Sequence, residues 1–124
     1  MNNSPGATEK SLMQLIDQQV AHVWMVRTFL KHCDEAEDDE ELASVHRDLY
    51  DFMLALGPAL EEGDEATYIK LSKKKLSKLR RAMELFVEIQ PEVSGHMNFR
   101  MAARSLQQAV ANIAQLLDRS LPAS

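Results

Sequence analysis

Apolar residues recur along this chain at intervals of three and four, the spacing that lines one side of an α-helix. Leu12, Leu15, Ile16, Gln19, Val20, Val23, Val26 and Leu30 predict a first helix over residues 9–33, with Gln19 the one polar interruption. Leu42, Val45, His46, Leu49, Phe52, Met53, Leu56 and Leu60 predict a second over 39–62. Ile69, Ser72, Leu76, Leu79, Met83, Phe86 and Val87 predict a third over 65–89. Phe99, Ala102, Ala103, Leu106, Ala109, Val110, Ile113 and Leu117 predict a fourth over 93–119.

The punctuation between the stripes agrees with this division. The acidic run from Asp34 to Glu41 begins as a loop and ends in the first turn of the second helix, where the helix dipole favours carboxylates. Gly57-Pro58 predicts a kink or an early end in that helix, because proline removes a helix hydrogen bond. Gly63 supplies a stop and Asp64 an N-cap for the third helix. Pro91 ends the third helix or opens the fourth. Helices of about 25 residues, each roughly 37 Å long and joined by short links, lie antiparallel to their neighbours. The expected fold is all-α, an up-and-down antiparallel four-helix bundle over residues 9–119. A flexible lead-in at 1–8 precedes it and a short tail at 120–124 follows. Two helical hairpins exchanged between chains are the nearest alternative, through the weak point at Gly57-Pro58.

Composition narrows the function classes. The 124 residues suit a single domain with a core of its own. A net charge of −5 disfavours nucleic acid as a partner. Cys33 is the sole cysteine, which suits a reducing compartment. No apolar run is long enough for a membrane span, and the polar N-terminus does not read as a signal peptide. The expected location is the cytoplasm, with no membrane and no cofactor.

No phosphate-binding glycine loop, nucleophile elbow or Cys-x-x-Cys pair is present, so an enzyme is the least favoured class. His22, His46 and His96 fall on or beside inward stripes, while His32 points away from its stripe. Antiparallel pairing brings His22 and His46 within roughly 6 Å in height and leaves His96 roughly 16 Å away. Two histidines form a weak zinc site, since zinc takes three or four protein ligands. The same pairing gathers Gln19, His22, His46, Tyr50 and Ser72 into one polar layer. Such a layer either fixes helix register through hydrogen bonds or lines a pocket for a small ligand.

Two surfaces read as contact sites. Trp24 and Met25 lie beside the first stripe, with Leu54 and Met101 at comparable flanking positions, and tryptophan outside a core stripe is a common interface anchor. The basic run Lys70, Lys73, Lys74, Lys75, Lys78, Arg80 and Arg81 covers the outer face of the third helix. It reads as a solvated face or as a dock for an acidic protein partner, and it lacks the interleaved aromatics that stack on bases. Cys33, beside Asp34 and Glu35, reads as structural. The leading reading is a non-enzymatic helical interaction module, a homo-oligomer and most simply a dimer. The alternative is a ligand- or metal-binding bundle built on His22, His46 and Tyr50.

Overall fold

A computed structural model describes residues 11–119, and every element among them is helical. The helices are α1 (Leu12–His32), α2 (Glu35–Asp38), α3 (Glu40–Glu62), α4 (Glu65–Val93) and α5 (Met97–Arg119). The all-α expectation holds for these residues, but the helices number five and not four. The expected lead-in at 1–8 and tail at 120–124 lie outside the described residues. The additional helix is α2, a single turn within the acidic run that the sequence assigned to a loop.

Helix boundaries follow local capping chemistry. Ser11 starts α1 three residues later than expected, through a reciprocal cap. The Gln14 amide donates to Ser11 Oγ at 3.1 Å, and the Ser11 amide donates to Gln14 Oε1 at 2.9 Å. Asp39 and Asp64 cap α3 and α4 by accepting from the amides of Leu42 and Thr67. Gly63 closes α3 with φ 69°, a left-handed conformation that a side chain would strain.

Pro58 and Pro91 both sit inside helices: the first agrees with a second helix that continues to residue 62, and the second corrects the expected break at Pro91. α3 runs on past Pro58 to Glu62. The pyrrolidine ring crowds the Cβ of the residue before it, and Gly57 has none. α4 runs past Pro91 to Val93, where the Gln90 side chain donates to Ser94 O at 2.8 Å and the Ser94 amide donates to Gln90 O. α5 begins at Met97 instead of residue 93, because His96 caps it: the Asn98 amide donates to His96 Nδ1 at 3.0 Å.

α1 packs against α3 and α5, and α4 packs against the same two helices from the other side. α1 and α5 run antiparallel: Phe29 meets Phe99 edge-on at one end, and Asn112 donates to Gln19 toward the other. Lys78 of α4 reaches Asp48 and Asp51 of α3 at 3.7 and 3.6 Å. Ile16, Leu30, Leu42, Leu49, Leu79, Phe86, Leu106 and Ile113 are fully enclosed. The inward face of α4 is rotated from the expected stripe: Tyr68, Ala82 and Ile89 are buried, whereas Ile69, Leu76, Met83 and Val87 are half-buried. In α3, Ala59 takes the inward place assigned to Leu60, which is exposed. No described helix is long and apolar enough to cross a membrane.

Candidate functional site

The site is best built outward from α1. Arg27 follows Val23 by four residues and precedes Leu30 by three, so it stands on the inward stripe between two enclosed apolar side chains. Its exposure is 9%. The guanidinium carbon lies 4.3 Å from the centre of the Tyr50 ring and 5.4 Å from that of Trp24. Aromatic faces attract a cation, by up to about 2 kcal/mol when water is excluded. Arg27 forms no ion pair with any described carboxylate, and its Nε is buried without a hydrogen-bond partner. A buried cation in that condition is unfavourable unless something neutralises it.

Positive charge continues around it. Half-buried His46, on α3, leaves Nε2 without a partner. Burial lowers the His46 pKa, and Arg27, Lys31 and Arg47 lower it further by repulsion. Thr28 Oγ1 is a third buried polar atom without a partner. Arg27 and His46 face each other across the seam between α1 and α3.

Beside this cluster runs an open groove of about 470 Å³, lined by Trp24, Tyr50, Met53, Leu54, Gly57, Pro58, Leu60 and Glu61. Trp24 and Tyr50 therefore face the groove and also hold Arg27. A second hollow, on the other flank of α1, is lined by Met25, Val26, Phe29, Asn98, Met101, Ala102 and Ser105. The four residues assigned to a contact surface are all exposed: Trp24 at 47%, Met25 at 63%, Leu54 at 55% and Met101 at 41%. Leu60 and Met97 join them.

The expected polar layer is dispersed. Gln19 accepts from Asn112 of α5 at 3.0 Å. Ser72 is fully buried and donates to Tyr68 O in its own helix at 2.8 Å. Tyr50 stacks on Arg27. His22 is exposed, which corrects its inward assignment, and His96 is exposed at the start of α5. Only His46 and Tyr50 remain beside a common feature, and that feature is Arg27. Among the described residues no group of three or more His, Cys, Asp and Glu is placed to hold a metal ion. The Cys33 thiol donates to Leu30 O at 3.2 Å, and burial raises its pKa, so it is a poor nucleophile.

Its charge disguises Arg27 as a surface residue in the sequence. The signal was present in its spacing from Val23 and Leu30. Compared with known protein families, curated proteins and solved structures, the chain has no significant match in any of the three.

Proposed function

We propose that this chain is a non-enzymatic helical interaction module: an up-and-down bundle of four long helices that forms a dimer through the side made by α1, α3 and α5. One observation carries the reading. The large apolar side chains left exposed among the described residues are Trp24, Met25, Leu54, Leu60, Met97 and Met101. Every one lies on α1, α3 or α5, and α4, with its lysines and arginines, has none. Scattered apolar residues are normal on a surface, but a set that includes a tryptophan and spares α4 altogether has the composition of an interface.

Sedimentation velocity over a range of concentrations tests this. Wild type should sediment as a dimer and Trp24→Glu as a monomer, while Lys74→Glu on the opposite helix should leave the dimer intact. Equal sedimentation of all three proteins would contradict the reading.

A further inference from the structure

The groove beside Trp24 has an unusual symmetry. Its walls along α3 are Tyr50, Met53, Leu54, Gly57, Pro58, Leu60 and Glu61, and spacings of three and four put Tyr50, Leu54, Gly57 and Glu61 on one seam. Tyr50 and Glu61 mark its ends, roughly 16 Å apart along the helix. At the Tyr50 end sits the unpaired cation of Arg27. At the other end Glu61 is exposed and has no ion pair among the described residues. In the middle, exposed Leu54 stands next to Gly57, where an added Cβ would meet no atom within 4 Å.

A two-fold axis perpendicular to α3, midway between Leu54 and Gly57, exchanges these ends. Two-fold interfaces are self-complementary: if residue i meets residue j, then j meets i. We propose that two copies of this chain pack α3 against α3 in antiparallel fashion, so that Arg27 of each copy is neutralised by the partner's Glu61. Leu54 enters the space above the partner's Gly57, and Trp24 closes the side of the groove. The site at Arg27 is incomplete in one chain and complete in two. This inference rests on the self-association proposed above and names the surface and the ion pair that perform it.

A second copy fits better than a free small acid. A carboxylate ligand lying in the groove would answer Arg27 but leave Glu61 unpaired beside its apolar body. The two-fold arrangement satisfies both charges, and it does so twice. The ion pair is formed where Trp24 and Tyr50 exclude water, so its loss should weaken the dimer more than that of an exposed surface pair.

The experiment is a double-mutant cycle on the dimer dissociation constant, measured by sedimentation equilibrium under reducing conditions. Glu61→Gln and Arg27→Met should each weaken the dimer by at least about tenfold. The double variant should be no weaker than the weaker single one, because the same pair is removed once. Glu61→Arg changes an exposed side chain, so it keeps the test valid should Arg27→Met fail to fold, and it should weaken the dimer further than Glu61→Gln. If Glu61→Gln and Glu61→Arg leave the dimer unchanged while Trp24→Glu dissociates it, self-association stands and this pairing is wrong. A wild type that stays monomeric at every concentration overturns both. A monomer whose melting temperature rises with benzoate, in wild type and not in Arg27→Met, would put a free carboxylate where we place the partner's Glu61.

Discussion

The guanidinium of Arg27 lies 4.3 Å above the ring of Tyr50, so a cation buried in one helix is held by an aromatic face on another instead of by a carboxylate. Cation–π attraction of about 0.5–2 kcal/mol offsets only part of the desolvation of a charge, which amounts to several kcal/mol. Folding stability is therefore surrendered at this position.

Arg27→Met keeps an unbranched apolar stem of similar reach and removes the charge. In dilute, monomeric protein the substitution should leave unfolding free energy unchanged or raise it by up to about 2 kcal/mol, as replacements of uncompensated buried charges do. Urea denaturation followed by circular dichroism measures this. A loss larger than about 2 kcal/mol would mean that the stacking on Tyr50 and Trp24 outweighs the desolvation.

His46 links stability to pH. Its pKa in the folded chain is held below the ordinary 6.5 by burial first, then by Arg27 and Lys31 on α1 and Arg47 on its own helix. Above pH 6.5 both folded and unfolded forms are neutral at this site, and stability is complete. As pH falls from about 6.5 through the folded pKa, the unfolded chain takes up the proton more readily, and stability is lost. The drop in melting temperature between pH 7 and pH 5 should be smaller in His46→Leu than in wild type. Equal drops would show that His46 is free to protonate in the folded state.

Much of this structure is legible in the sequence, and the departures have physical causes. The periodic stripes located the long helices, and Gly63 and Asp64 marked a real boundary. Pro58 is accommodated because Gly57 removes the Cβ its ring would crowd, whereas Pro91 marks the third helix's end two residues early: α4 runs on to Val93, where Gln90 and Ser94 bond each other. The rotation of α4 was hidden by Tyr68, whose polar hydroxyl disguised a fully buried ring. Trp24, Met25, Leu54 and Met101 could be read as exposed because each lies off its stripe. His22, beside the stripe, is exposed, while Arg27, charged yet on the stripe, is buried.

Tyr68 gives a second pH signature, of opposite sense. Its ring is fully enclosed, its hydroxyl donates to Asp17 Oδ1 at 3.5 Å, and burial with the nearby Asp17 charge drives the phenol pKa well above 10. The contribution is complete below pH 10 and is lost as pH rises toward the folded pKa, because the unfolded tyrosine ionises first. Tyr68→Phe should cost about 1 kcal/mol or less at pH 7. It should also flatten the fall in melting temperature between pH 9.5 and 11. An unaltered alkaline profile in Tyr68→Phe would contradict this assignment.

The chain has one tryptophan, and it lines the groove of the proposed dimer surface at 47% exposure in the single chain. Acrylamide quenching of Trp24 fluorescence over a wide range of protein concentration therefore reads the central claim directly. The account predicts strong quenching at high dilution, a fall in the quenching constant of about twofold or more as chains pair and cover the indole, and a constant high value at all concentrations in Leu54→Glu. Quenching of wild type that is independent of concentration, with Trp24 as accessible in concentrated solution as in dilute, would contradict it.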